Sequence, residues 1–517
     1  MRGLPFVFAS LAVSAAQVCL PHVQFTKKWS TELNAAEIVA VSGSAVFSTS
    51  GTSFSLYNAL TGAYVESIDT GYALTSIDIF GNILVAAAYG GNKWDAPGKI
   101  LFYDVANISA ISKVHTEEVG YLPDMVTYSP DGNMVLVACE GEPSDDYNID
   151  PEGSVWILDV SGATVTSKTK LGFGDYTTAE LLAKGIRIFG KNATVAQDME
   201  PEFIAVSPDS TRAMVACQEN NAMVVVDLTM KKIVDIFSAG TQDWSITAID
   251  PSDKDGEFNP TKKAKVKSFN MPDAITSFTV NGKVYYAAAN EGDARDYDGF
   301  SEEERVDDLI LDGSVYPSDF ANEENWGRLK VTTVNSTSTQ IWGYGGRSIT
   351  IWKDTGEMVT EMHVTPVYKQ HIPDRYQDKR SDDKGPEPEG ILSGVINGVP
   401  YIFACMERTS DIFVYDMSIP KKPLLVQIIW VDGLESPEGL FFQSADKSPN
   451  GKPMLYAAYE ESGHLAAFEM IDLPGCTPSL KKDSTEATLD CGDLKFSYRY
   501  AGCCHEDPTK MATLLAD

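Results

Sequence analysis

The chain has 517 residues, with 73 acidic against 41 basic side chains and a formal charge of −32. Such a field repels phosphate backbones, which excludes nucleic acid as a partner and favours divalent cations, basic polymers and mineral surfaces. The length suffices for a large buried core, and no stretch has the length and apolarity of a membrane span.

Arg2, the apolar run LPFVFASLAV and Ser14-Ala15-Ala16 predict a signal peptide over 1–16, cut after Ala16. Everything downstream is then expected in a secreted, oxidising setting, where the sequons at Asn107, Asn192 and Asn335 become glycan acceptor positions. FTKKWST (25–31) reads as a lone strand, 37–68 as four strands and 75–105 as three.

From residue 122 onward one pattern recurs. LPDMVTYSPDGNMVLVACE (122–140) has Pro123-Asp124, a turn and a strand ending at Glu140. EPEFIAVSPDSTRAMVACQE (200–219) has Glu202 and ends at Glu219. The stretch at 271–291 has Asp273, an Asn-Gly turn and Glu291. GPEPEGILSGVINGVPYIFACMERTSDIFVYDM (385–417) has Glu387, Glu389, a second Asn-Gly turn and Glu407. The stretch at 436–460 has Glu438 and Glu460. A hairpin spans each gap, because Asn-Gly and Asp-Gly turns tolerate φ > 0, so each copy returns its second acid close to its first. SVWILDV (154–160), AMVVVDL (222–228), DIFVYDM (411–417) and HLAAFEM (464–470) supply third strands.

A repeating antiparallel unit of this kind is the signature of propeller blades. The expected fold is all-β: a seven-bladed β-propeller of the WD40/YVTN-like kind over 17–470, with short helical insertions and a cysteine-rich tail over 471–517. The last blade has only three strands of its own, and FTKKWST is expected to close the ring, removing exposed edges. First strands of propeller blades line a central channel. Asp124, Glu140, Glu202, Glu219, Asp273, Glu291, Glu389, Glu407, Glu438 and Glu460 should therefore converge on one face. Taken singly, each is an ordinary solvated acid. Taken in register, they form a candidate metal site, because clustered carboxylates repel one another unless a cation holds them.

Two insertions interrupt the rhythm. One (175–197) is expected to carry a short helix, with Thr177 and Glu180 spaced as a capping box and Gly185 as a stop. The other (292–313) is expected to carry a helix from Ser301, with Glu304 as its capping partner, and to sit over the acidic face. DPSDKDGEF (250–258) looks like an EF-hand loop but fails as one, since Pro251 and Lys262 stand where Asp and Glu are needed. Cys139, Cys217 and Cys405 occupy matching strand positions and read as small buried core residues. Cys19, Cys476, Cys491, Cys503 and Cys504 read as disulfide partners of open connectivity, with Cys19 expected to join the tail. The six histidines are scattered, and no CxxC or HxxxH spacing suggests zinc.

GIRIFGKNATVAQDMEPEFIAVSPD, AANEGDARDYDGFSEEERVDDL, GEPSDDYNIDPEGSVWILD and the KGPEPEGI…ERTSDIFVYDM stretch together resemble the choice-of-anchor I domain family over about residues 30–470. That family includes mesenchyme-specific cell-surface glycoproteins of biomineralising animals and proteins described as atypical alkaline phosphatases. The resemblance implies a secreted or surface-displayed seven-bladed propeller. The end of the chain, TKMATLLAD, departs from anchored members and points to release rather than anchoring.

Two functions follow. The first is an extracellular calcium-binding protein of a cell covering or of mineral handling, with Ca2+ taking six to eight oxygen ligands from the acids. The second is a secreted, metal-dependent phosphoesterase, in which Arg295 or Arg408 would clamp a phosphate ester while the metal activates water. An arginine facing the acids favours the second, and an all-acid ring the first.

Overall fold

The computed structural model describes residues 23–33 and 36–471, together with three strands between 477 and 499. The signal segment, Cys19 and the side chains of the tail cysteines lie outside the described residues. Two compact units are present: Phe25–Ile471, and the pair of terminal segments Met1–Gln24 and Asp472–Asp517. Within the latter, Thr477–Leu480, Glu486–Cys491 and Leu494–Arg499 form a three-stranded antiparallel sheet.

The large unit is all-β. Its described residues contain seven four-stranded antiparallel sheets: five run in chain order, one is interrupted after its second strand by 291–347, and one takes its outer strand from Phe25–Glu32. Their first strands are Val39–Ser42, Ala73–Phe80, Pro123–Tyr128, Phe203–Val206, Ile275–Val280, Pro388–Ile396 and Pro437–Gln443. Each packs against the next in this order, and Pro437–Gln443 packs back against Val39–Ser42. Phe25–Glu32 pairs antiparallel with His464–Met470 and so becomes the fourth strand of the last sheet. Trp29 fixes that strand: its indole donates to the Ala59 carbonyl at 2.9 Å and its ring lies over Gly62, where a Cβ would come within 2.6 Å of it.

The middle strands are apolar on both faces because each sheet is covered on both sides by its neighbours. Leu136 and Ala138 on one sheet meet Val215 and Val224 on the next in a single core cluster. Cys139, Cys217 and Cys405 are buried free thiols in these strands. The Asn397-Gly398 turn has φ of 53° and 81°, the left-handed pair a tight hairpin requires.

The insertions differ from expectation in part. Thr178–Ala183 is a helix with the Thr177/Glu180 capping box complete, and Gly185 follows it at φ 79°. No helix starts at Ser301. Phe300–Ser301 and Glu303–Arg305 are strands, the latter paired with Lys330–Thr332, and only a 3-10 turn, Val306–Asp308, follows. The cause is Glu302. Its fully buried carboxylate receives Arg187, the Thr332 hydroxyl and the Arg295 amide, which holds the chain extended. The strand Glu303–Arg305 belongs to a five-stranded sheet with its own core of Trp244, Ile249, Val266, Trp326 and Ile341. A helix the sequence patterns did not suggest, Thr365–His371, packs Tyr368 into the core.

Candidate metal centre

Three features of the repeat aim its acids. The first strand is bulged where it begins: pairing slips between Pro123 and Met125, between Pro388 and Ile391, and between Pro437 and Leu440. Asp124, Glu389 and Glu438 are therefore left out of the ladder, and a bulge re-aims the side chain it carries. Next, the residue before the proline has positive φ in four copies, at Leu122 (40°), Met271 (50°), Glu387 (54°) and Ser436 (57°). Non-glycine residues held there cost on the order of 1–3 kcal/mol each and persist where the surroundings enforce them. Finally, the amide of the second acid closes on that same residue. Glu140 N donates to Leu122 O, Glu407 N to Glu387 O and Glu460 N to Ser436 O, each at 2.9 Å.

The first strands enclose a cavity of about 390 Å3, lined from all seven, with Asp78, Asp124, Asp273 and Glu438 among its walls. The acids act on one another around it. Burial pushes Asp124 up to about 7, reinforced by Asp273, Glu142 and Glu219. Burial also raises Glu202, with Glu219, Glu140 and Asp273 adding to it. Glu389 is raised by burial and by Glu291, Glu438 and Glu407. Glu438 is raised by burial and by Glu460, Asp273, Glu37 and Asp124. Glu140, Glu219 and Glu291 shift the same way, burial being the largest cause.

Two triads are tight enough to ligate one ion each. Asp273, Glu291 and Glu389 bring one oxygen each within 4.8 Å of one another, and so do Glu291, Glu387 and Glu407. Glu291 belongs to both. Buried oxygens in this region have no hydrogen-bond partner: Glu202 Oε1, Glu219 Oε2, Glu389 Oε2 and Glu407 Oε2. A buried carboxylate oxygen left so is costly, and a hard cation is the partner it lacks.

The two arginines are placed differently. Arg295 is 1% exposed. It donates to Glu200 at 2.7 and 3.1 Å, to Asp198 and to the Asp198 carbonyl, with Phe189 stacked on the guanidinium. Four of its five N–H groups are thereby turned to structure, in a buried network close enough to Glu219 to act on it. Arg408 reaches the triad acids, at 2.9 Å from Glu387 and 2.5 Å from Glu407. Arg380 holds the other oxygen of Glu387 at 3.1 Å. Lys384 lies 3.9 Å from Glu291 and 2.8 Å from Asp293.

Sequence reasoning did not place Glu387 among the ligand candidates, nor Lys384 or Arg380 beside them. The signal for Glu387 was available, since GPEPEG flanks Pro388 with two acids. The Asp198–Glu200–Arg295 network had no comparable signal, because its partners lie far apart in the chain.

Residues 29–420 match the sequence model of the choice-of-anchor I domain. A mesenchyme-specific cell surface glycoprotein of Strongylocentrotus purpuratus is 23% identical over 335 residues, which is 54% of this chain and 42% of that protein. Gigasin-3a of Magallana gigas is 23% identical over 198 residues, 31% of this chain and 69% of that one. The chain thus spans less than half the length of the Strongylocentrotus relative. Among solved structures, Kuenenia stuttgartiensis hydrazine synthase overlaps at a TM-score of 0.48 with 13% identity, covering 86% of this chain and 97% of that one. The WD40 domain of Toxoplasma gondii coronin overlaps at 0.46 with 8% identity, covering 88% of each.

Proposed function

The chain belongs to the choice-of-anchor I domain family, and from that premise we propose that it is a closed, seven-bladed β-propeller of the extracellular surface that binds calcium at the acid-lined mouth of its channel. The observation that carries the reading is the pair of carboxylate triads sharing Glu291. Calcium accepts six to eight oxygens in flexible geometry, which suits side chains contributed by separate sheets. The extracellular placement draws on the Strongylocentrotus relative, a cell surface glycoprotein. No helix among the described residues is long and apolar enough to cross a membrane. A cation-loaded acidic face fits a role in a cell covering or at a mineral surface.

The test is isothermal titration of Ca2+ into wild type and Glu291→Gln, with melting curves recorded in calcium and in EDTA. A lower count of bound ions in the variant, with a wild-type melt that rises in calcium, is the expected result. Identical melts in calcium and EDTA would sink the proposal.

A phosphoesterase is the second reading, and one observation favours it. Arg408, with Lys384 nearby, brings positive charge against the shared carboxylates, where a phosphate on a bound metal would need it. Against it, Arg408 is already engaged by Glu387 and Glu407. Turnover of a generic phosphomonoester that disappears in Arg408→Ala, with calcium binding intact, would reverse this ranking.

A further inference from the structure

We propose a second divalent-cation site, sharing no residue with the triads, formed by Asp250 and Asp255 of the 250–258 loop with Asp378 of a segment more than a hundred residues downstream. One carboxylate oxygen from each lies within 4.8 Å of the others. The loop fails as an EF-hand because its own later positions cannot complete the shell. The fold instead supplies the missing acid from the 3-10 turn Asp378–Arg380.

Proximity of acids alone does not make a site; the partnerless atoms around them point to a ligand. Ser381 is fully buried and its Oγ has no hydrogen-bond partner. It faces the Asp378 carboxyl and the Tyr376 hydroxyl and acts on both, though neither meets it in hydrogen-bonding geometry. Asp255 Oδ1 and Asp378 Oδ1 are likewise shut off from solvent with no donor. Asp250 is itself fully buried, its carboxylate receiving the amides of Ser252 and Asn259. Lys262 satisfies only Asp255 Oδ2, at 2.9 Å.

The scaffold is rigid. Arg347, 2% exposed, gives its protons to backbone: the Asp250 carbonyl at 3.0 Å and the Ser381 and Asp383 carbonyls at 2.8 Å. It ties the two segments together without neutralising any of the three carboxylates. Phe258 stacks on Tyr376 with centroids 3.7 Å apart and closes the loop over the pair. What remains is a set of four oxygens, from fully buried Asp250 and Ser381 and half-buried Asp255 and Asp378, with one lysine at its edge. That set suits a hard divalent ion of the calcium class, completed by a backbone carbonyl or water.

The experiment uses the full chain and Ca2+ alone. Hydrogen exchange of 250–262 and 376–385 is compared in calcium and in EDTA, for wild type, Glu291→Gln and Asp255→Asn/Asp378→Asn. Bound calcium is counted by equilibrium dialysis. The site predicts exchange slowed at least about tenfold in these two segments by calcium. The slowing persists in Glu291→Gln and is lost in the double variant, which binds about one ion fewer per chain. A Glu291→Gln chain that binds as many ions as wild type, with the loop still protected, would sink the channel-mouth proposal and leave this one standing. Wild-type exchange indifferent to calcium in both segments, or a folded double variant with an undiminished ion count, would overturn it. Should the double variant not fold, the wild-type exchange comparison decides alone.

Discussion

Arg295 illustrates how a residue's neighbours in space, rather than in sequence, decide what it does. It follows Glu291 closely along the chain, and that adjacency suggested a phosphate clamp. In the fold its side chain turns to Asp198 and Glu200, a pair separated from it by almost a hundred residues. Removing it would strand two buried carboxylates, and breaking a buried pair from one side costs about 3–5 kcal/mol. Arg295→Ala is therefore expected to lower the denaturant midpoint sharply, and an unchanged midpoint in urea would refute its structural role. The cysteines were easier to read, since VACE, VACQE and FACME sit at matching strand positions and the periodicity alone buries them. Burial pushes the Cys139 thiol up to about 12, and it raises Cys217 and Cys405 as well. None of these three peptides should carry iodoacetamide label at pH 8 in the native protein, and all three should in guanidinium. Native labelling at any of them, read by peptide mass spectrometry, would contradict the packing.

At the scale of elements, the sequence was legible wherever one local rule acted alone. Alternation, Asn-Gly turns and the Thr177/Glu180 box gave strands, hairpins and a helix close to where they stand. It misled where a long-range partner overrode a local signal. Ser301 and Glu304 have capping spacing, but Glu302 between them is claimed by Arg187 and Thr332, and the chain is drawn out as an edge strand. The bulges were also illegible, because a bulge is set by what the adjacent sheet leaves room for. The P-E-G triplets show that constraint directly. A Cβ on Gly390 would lie 2.0 Å from the Glu438 carbonyl, and one on Gly439 would lie 2.1 Å from that of Glu37. Each glycine lets the neighbouring sheet's backbone approach the acid, and Gly439 N donates to Glu37 O at 3.1 Å. Gly390→Ala must push two sheets apart, at a cost of about 1–3 kcal/mol, and should weaken calcium binding as well. A variant that melts like wild type and binds calcium equally would show that the close approach is unimportant. Gly398 is a useful contrast, since nothing lies within reach of a Cβ there and only its φ of 81° resists substitution.

At the scale of the molecule, the first strands of seven sheets gather buried acids around one cavity, and that arrangement has a signature in pH. In EDTA the acids have only one another and their few basic neighbours. Burial, aided by nearby carboxylates, holds Asp124 up to about 7 and Asp273 up to about 6; burial likewise holds Glu407 up to about 7, though Arg408 opposes it. In the unfolded chain the same groups titrate near 4. A carboxyl whose folded value is raised binds more protons folded than unfolded. Its contribution to stability is therefore whole below about pH 4 and is lost as the pH rises through 6 and 7. The metal-free protein should thus grow less stable between pH 5 and 8, the reverse of what carboxylates held by lysine or arginine produce. Calcium stabilises the ionised form instead, so its effect on the melt should be small at pH 5 and large at pH 8. Proton release on binding should follow the same trend, visible as a buffer-dependent heat of titration near neutral pH. Melting temperatures measured across pH 5–8 in EDTA and in calcium check both halves at once. Curves that run parallel, with a calcium increment independent of pH, would mean that the raised carboxylates are not the groups that meet the ion.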